Sequence, residues 1–131
     1  MKKITLIVAA LLLTVAGFLQ TTKPSRMEEG KKVYESACQA CHQPGGVGVP
    51  GAFPPLTKND WVEGDKKRLI NVILKGLNDP IKVNGEEYTM PMPAQPNLTD
   101  VQIADVLTYI RASFGNKASA ISAAEVKALR Q

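Results

Sequence analysis

The stretch Cys38-Gln39-Ala40-Cys41-His42 holds both cysteines and the only histidine of this 131-residue chain. A structural disulfide between the two thiols would leave His42 without a role. A zinc site would need further Cys or His ligands, and the sequence has none. A thioredoxin-like dithiol follows a buried strand, whereas here a helical pattern precedes the first cysteine and a glycine- and proline-rich loop follows the histidine.

The spacing C-x-x-C-H is instead typical of covalent haem attachment, in which each thiol reaches one vinyl group and the imidazole faces the iron. It predicts one c-type haem. The single histidine excludes a second histidine ligand, and methionine is the usual partner in electron-carrying haem proteins, where it raises the reduction potential. Met1 lies in the N-terminal segment and Met27 on the helix that leads into the motif. Met90 and Met92 remain, each followed by proline, and spacing alone leaves the choice between them open.

The N-terminus has the layout of an export signal. Lys2 and Lys3 precede residues 4–19, an apolar run of 16 residues without charge. A membrane span needs about 20 such residues, so we predict that residues 1–17 are a cleaved signal peptide, with an uncleaved anchor as the alternative. Residues 18–25 read as a tether. Both readings place the following domain outside the cytoplasm, in the periplasm, either free or anchored on the periplasmic face of the membrane.

The charge of the chain excludes one class of partner. The formal net charge is +4, but without Lys2 and Lys3 the chain has 14 basic and 12 acidic residues. This small excess, with no interleaving of aromatic residues and arginines, argues against nucleic acid as a partner.

The remaining pattern predicts an all-α domain with a minor hairpin. Gly30 interrupts the first helix, which is unfavourable by about 1 kcal/mol relative to alanine and indicates a close crossing with another helix. In the helix after Thr99 we expect Val101 and Phe114 among the buried residues and Gly115 as the stop. The predicted elements are helices at residues 26–40, 66–75, 99–114 and 123–129, a loop at 43–56, a short turn at 60–64 and a hairpin at 81–89 around Asn84-Gly85. The predicted N-caps of the last three helices are Asp65, Thr99 in a capping box with Gln102, and Ser122.

Several pieces of the chain together resemble the class I cytochromes c, especially bacterial single-haem domains that occur alone or fused to respiratory oxidoreductases. The resemblance covers residues 27–115 and rests on Gly30-Lys31-Lys32-Val33-Tyr34, the cysteine–histidine motif, Pro54-Pro55-Leu56, Gly76-Leu77, Asn84-Gly85-Glu86-Glu87-Tyr88, Met92-Pro93 and residues 98–111. It implies a small cytochrome c fold of three to five helices around one haem at residues 26–115. The chain departs from the simplest members in the hairpin of residues 81–88 and in residues 116–131, which we expect to be a C-terminal extension with a short helix.

The resemblance also implies roles for individual residues. In that family the ligand methionine precedes a proline and lies six residues before a Leu-Thr-Asp sequence, which selects Met92. The haem would be bound by Cys38 and Cys41, and its iron by His42 and Met92. The carbonyl of Pro54 would accept a hydrogen bond from the ring of His42. The resemblance also implies that the first helix crosses the helix of residues 98–111 at Gly30 and Tyr34.

With both axial positions of the iron filled by side chains, we expect an electron carrier and not an enzyme. Its partners would be a redox protein donor and acceptor, and we expect a monomer. The alternative is a membrane-anchored or complex-bound relay subunit of a respiratory oxidoreductase. A haem enzyme of the peroxidase kind is less favoured, because it needs an open iron position and the chain has no second histidine.

Overall fold

The first helix, α1, carries the cysteine–histidine motif at its end. The computed structural model describes residues 24–130, so the predicted signal peptide or anchor and residues 18–23 of the tether lie outside the described residues. Helix α1 consists of an α-helical part Arg26–Val33, a π-helical turn Tyr34–Cys38 and a last α-helical turn Gln39–His42. The side chain of Ser25 caps its start. The helix continues two residues beyond the predicted end, and the π-helical turn was not predicted.

The proline- and glycine-rich segment that follows is a loop, as expected, with one short 3-10 turn at Pro44–Gly46. Helix α2 (Asp60–Glu63) begins after Asn59, whose side chain accepts hydrogen bonds from the first amides of the helix. Helix α3 (Lys66–Lys75) is capped by Asp65. It ends at a glycine with a φ of 76°, so both predicted limits of this helix are confirmed.

The predicted hairpin is present as strands β1 (Ile81–Val83) and β2 (Glu86–Tyr88), which pair antiparallel. The two turn residues between them, Asn84 and Gly85, have φ values of 50° and 88°. Positive φ at both positions is what a two-residue type I′ turn requires. The asparagine–glycine pair therefore determined this hairpin locally.

Helix α4 (Asp100–Ala112) begins with the predicted capping box between Thr99 and Gln102. Two expectations for this helix are wrong. Phe114 lies beyond its end with a φ of 58°, because the chain becomes extended at the preceding serine. Val101 is 58% exposed. It lies six residues before Leu107, which at 3.6 residues per turn places it about 120° around the helix from that buried side chain.

Helix α5 (Ala123–Leu129) follows a segment that runs back over the molecule, and Ser122 caps it as predicted. It packs against α4 and α3. Ile121, just before the helix, and Val126 within it are fully buried and belong to the same core as residues of α1, α3 and α4. The C-terminal segment therefore contributes to the core of the domain.

Helices α1 and α4 cross closely at Gly30. A Cβ atom at this position would lie 2.7 Å from Cβ of Tyr109 and would also collide with the carbonyl oxygen of Asp105. One turn further along α1, Tyr34 packs against Tyr109 and Phe114 with ring centroids 5.9 and 5.1 Å away. The crossing that the isolated glycine predicted is thus confirmed.

Within residues 24–130, five helical segments and one two-stranded hairpin make up the regular structure. This confirms the predicted fold class, a small helical domain with a minor β-hairpin. None of the helices in this range is long and apolar enough to cross a membrane.

A candidate haem site

One cavity brings together all the site residues that the sequence predicted. Its walls include Cys38, Cys41, His42, Pro54 and Met92. The free space inside is about 960 Å³, part of it open to solvent. The remaining walls are mainly apolar and include Phe53, Leu56, Leu69, Ile73, Leu107 and Ile110. A large planar apolar group with a few polar attachment points fits such a cavity.

His42, at the end of α1, is 8% exposed and its Nδ1 lies 3.0 Å from the carbonyl oxygen of Pro54. Because a carbonyl can only accept, Nδ1 must carry the proton, and Nε2 is then the nitrogen with a free lone pair. Burial lowers the pKa of His42, against the opposing effect of the Pro54 hydrogen bond. The ring is therefore held neutral and oriented, as a histidine ligand to a metal must be.

The two cysteines are free thiols that differ in exposure. Cys38 is half-buried, and burial, with a smaller contribution from Cys41, raises the pKa of its thiol to about 11. Cys41 is exposed. Both lie in the wall of the cavity, on the last part of the same helix that supplies His42. Cys38 is therefore the more buried and Cys41 the more exposed of the two cysteines that lie beside His42 in the cavity wall.

Met92 pairs with Leu77, just beyond the end of α3, and is fixed by its backbone. Its N–H donates to the carbonyl of Leu77 and its carbonyl accepts from the N–H of Leu77, both at 2.8 Å. A Cβ atom at Gly76 would lie 2.6 Å from the Met92 carbonyl oxygen, so the glycine permits this approach. Met90 also lines the cavity but is 53% exposed, whereas Met92 packs against the core. The structure thus separates two methionines that spacing alone did not.

The hairpin covers another side of the cavity, with Ile81, Val83 and Tyr88 in its wall. Trp61 of α2 also lines the cavity, and its indole Nε1 donates to the carbonyl oxygen of Lys82 at 2.7 Å. The guanidinium of Arg68 lies 4.2 Å from the centroid of the Trp61 ring. The tryptophan therefore joins the hairpin to the rest of the site.

Sequence reasoning did not single out Asn59 and Asn116, two buried side chains next to the site that are 2% and 4% exposed. Asn59 also lines the cavity. The preference of asparagine for helix N-termini is the one local signal that could have identified Asn59. The contact between these two residues joins positions 57 residues apart, which no local pattern reveals.

The fold and the site define a class of protein: a small helical domain with thiols, a neutral imidazole and a thioether around one apolar cavity. Comparison with known proteins agrees. The cytochrome c family model matches residues 27–113, and the chain belongs to the cytochrome c family.

Two kinds of relative stand out. Over 111 residues the chain is 39% identical to cytochrome c-552 of Thermus thermophilus, covering 78% of this chain and 84% of that protein. Over 104 residues it is 39% identical to the cytochrome c subunit of a quinone alcohol dehydrogenase from Gluconacetobacter polyoxogenes, and over 111 residues 35% identical to a gluconate 2-dehydrogenase cytochrome c subunit from Pantoea cypripedii. The chain spans only 22% and 24% of these two subunits.

The predicted family, fold and cofactor are therefore confirmed. The chain is a single-haem class I cytochrome c that carries a covalently bound c-type haem with its iron, and it transfers electrons. The family supports an electron carrier.

Proposed function

We propose that Cys38 and Cys41 hold the haem through thioether bonds, that His42 and Met92 are the axial ligands of its iron, and that the protein passes single electrons between two redox proteins. The observation that carries the proposal is the convergence of these four side chains on one apolar cavity. The hydrogen bond of His42 to Pro54 supports it, because it leaves Nε2 available for the iron.

This coordination favours electron transfer over catalysis. Iron bound by the imidazole of His42 and the thioether of Met92 would have no open position for a substrate. A bound haem supplies the redox change of its iron, and the protein supplies two ligands, an apolar enclosure and a surface. Cys41 is exposed, so the haem edge attached to it would lie at the surface, where a partner can approach. We therefore infer that the protein is not an enzyme.

The placement and partners of the protein follow from the same proposal. Residues 1–17 are a signal peptide or anchor, 18–25 a tether, 26–115 the haem domain and 116–131 a C-terminal extension. The protein acts in the periplasm as a monomer, free or membrane-associated through its N-terminus. Because two relatives are cytochrome subunits of dehydrogenases, a dehydrogenase is the kind of donor we favour, and the alternative role is a relay within such an assembly.

The axial ligand is tested by spectroscopy of the haem-loaded protein. Oxidised wild type should show the weak absorption band near the red end of the spectrum that reports a methionine sulfur bound to ferric iron. Met92→Ala should abolish this band. Met90→Ala is the matched control, since it removes a methionine two residues away, and it should leave the band unchanged. If Met90→Ala loses the band and Met92→Ala keeps it, the iron ligand is Met90 and the proposed assignment is wrong.

N-terminal sequencing of the protein purified from its own cells tests the placement. A start near Gly17 or Phe18 in a soluble fraction supports a free periplasmic carrier. An intact N-terminus in the membrane fraction supports the anchored relay. Recovery of the haem-loaded protein from the cytoplasm would contradict both.

A further inference from the structure

Residues 54–56 present three consecutive backbone carbonyls to three buried side chains. The first carbonyl accepts from Nδ1 of His42 at 3.0 Å. The second accepts from the side-chain amide of Asn59, and the third from that of Asn116 at 2.7 Å. The first two of these residues are prolines, which have no N–H to donate. The two prolines can therefore be held only through their carbonyls, whereas the N–H of Leu56 also donates to the carbonyl of Gly46 at 2.7 Å.

The two asparagines also bind each other. The backbone N–H of Asn59 donates to Oδ1 of Asn116 at 3.0 Å. Asn116 donates further to the carbonyl of Ile110 in α4, at 2.9 Å, and Oδ1 of Asn59 accepts from the first amides of α2, at 2.7 and 3.0 Å. Through this pair, residues 54–56 are joined to the start of one helix and the end of another.

We propose that Asn59 and Asn116 are positioning residues, which hold the Pro54 carbonyl on the ring N–H of His42 and thereby set how strongly that ring donates to the iron. The inference rests on the proposed role of His42 as an iron ligand. A carbonyl that accepts from the outer ring nitrogen fixes the ring and raises the basicity of the other nitrogen.

A direction follows for the reduction potential. A more basic ligand favours ferric over ferrous iron, so the intact hydrogen bond holds the potential down, and a loosened one raises it. Hydrogen bonds around the ligand are a recognised lever on haem potentials. Asn116 belongs to the predicted C-terminal extension, so a residue beyond the predicted haem domain would act on the ligand through its contacts with residues 54–59.

Two near-isosteric variants separate this role from general stability. Asn59→Asp loses the donor to residue 55 but keeps the oxygen that caps α2, and aspartate is an equally good cap. Asn116→Asp loses the donor to residue 56 and to Ile110 but keeps the oxygen that accepts from Asn59. Thr108→Val is the control. The hydroxyl of Thr108 binds the N–H and carbonyl of Ile121, at 3.1 and 3.2 Å, so this variant loosens the same C-terminal segment away from residues 54–56.

The readout is the solvent-exchange rate of the His42 Nδ1 proton, measured by NMR on the reduced haem-loaded protein together with the reduction potential. We expect exchange about tenfold faster in both aspartate variants, which corresponds to the loss of roughly one hydrogen bond. The exchange rate decides, because a carboxylate added near the iron lowers the potential by its own charge and opposes the rise expected from the loosened hydrogen bond. Thr108→Val should exchange like wild type. If Asn116→Asp does not fold, Asn59→Asp decides alone.

Exchange at the control rate in the aspartate variants would overturn the positioning role. If the assignment of His42 as an iron ligand is wrong, the NMR spectrum gives a different result. In that case the ring protons of His42 in wild type itself would lack the large upfield shifts of an imidazole bound above a haem plane.

Discussion

Gly30 shows how one residue can oppose its local preference. Alanine is favoured over glycine within a helix by about 1 kcal/mol, yet a Cβ here would collide with the backbone of Asp105 and lie 2.7 Å from Tyr109. Backbone atoms cannot move aside as a flexible side chain can. We predict that Gly30→Ala destabilises the haem-loaded protein by about 1–3 kcal/mol, the usual range for overpacking, as measured by denaturant unfolding.

A gain in stability for Gly30→Ala would contradict the close crossing of α1 and α4. Gly51→Ala is a useful comparison, because no atom lies within 4 Å of the added Cβ but the φ is 73°. That variant should lose about 1 kcal/mol for its backbone conformation alone.

Tyr34 gives a prediction that depends on pH. Its hydroxyl donates to the carbonyl of Gln43 at 2.6 Å, and burial raises its pKa to about 12, above the ordinary tyrosine value of about 10. The folded state therefore keeps the proton over a range in which the unfolded state releases it. The stabilisation by the neutral hydroxyl is complete below pH 10 and is lost as the pH rises towards 12.

Tyr34→Phe should accordingly be less stable than wild type by about 1 kcal/mol at pH 7, the net contribution of one hydrogen bond. Between pH 10 and 12 this difference should shrink and reverse, at about 1.4 kcal/mol per pH unit for one proton. Denaturant unfolding of both proteins at pH 7, 9 and 11 measures it. A difference that stays constant across these three values would show that the phenol is not shielded from water.

At the residue scale, the sequence predicted those site features that lie close together in the chain or in a known motif. Cys38, Cys41 and His42 form one local pattern with a chemical reason for each residue. The choice of Met92 came from the resemblance, and its greater burial supports that choice. Asn59 and Asn116 were missed because their role arises from contacts between distant parts of the chain.

At the scale of elements, capping residues predicted helix starts better than apolar patterns predicted helix ends. Asp65, Thr99 and Ser122 each cap a helix as expected. Beyond the early end of α4, Phe114 packs against the ring of Tyr34. This is a tertiary contact, which the local sequence pattern does not reveal. The π-helical turn in α1 likewise has no local signal, although such turns occur often near functional sites.

The hairpin is the element that we expect to respond most to one distant side chain. Trp61→Phe keeps an aromatic ring in place but removes the donor to the carbonyl of Lys82. We predict that amide hydrogen exchange of residues 81–88 becomes roughly three- to tenfold faster, as expected for one lost hydrogen bond, while α3 is unchanged. Hydrogen–deuterium exchange with mass spectrometry measures both segments.

Lys82→Ala is the matched control for this prediction, because it retains the backbone carbonyl that accepts from the indole. Its hairpin should exchange like that of wild type. Equal acceleration in Trp61→Phe and Lys82→Ala would mean that the indole hydrogen bond does not hold the hairpin.

At the scale of the whole molecule, the C-terminal segment binds elements that are far apart in sequence. Arg26 at the start of α1 forms an ion pair with the buried Asp105 at 2.6 Å and donates to the carbonyl of Ile121 at 2.8 Å. Arg111 of α4, itself buried, donates to the carbonyls of Ser119 and Val62, at 2.7 and 2.5 Å. The segment thus contacts α1 and α4, and Arg111 joins it to α2, so it acts as part of the domain although the family match ends at residue 113.

Removal of residues 119–131 tests this conclusion. The deletion takes away two fully buried side chains, Ile121 and Val126, each of which contributes about 1.5–3 kcal/mol when buried. We therefore expect a loss of about 3–6 kcal/mol, a large share of the roughly 5–15 kcal/mol of a typical domain. Arg130→Ala, which removes only surface contacts to Asp100 and Leu98, should cost less than about 1 kcal/mol. Denaturant unfolding of the haem-loaded proteins, followed by haem absorbance, measures both, and a deletion variant as stable as Arg130→Ala would show that the segment is an independent appendage.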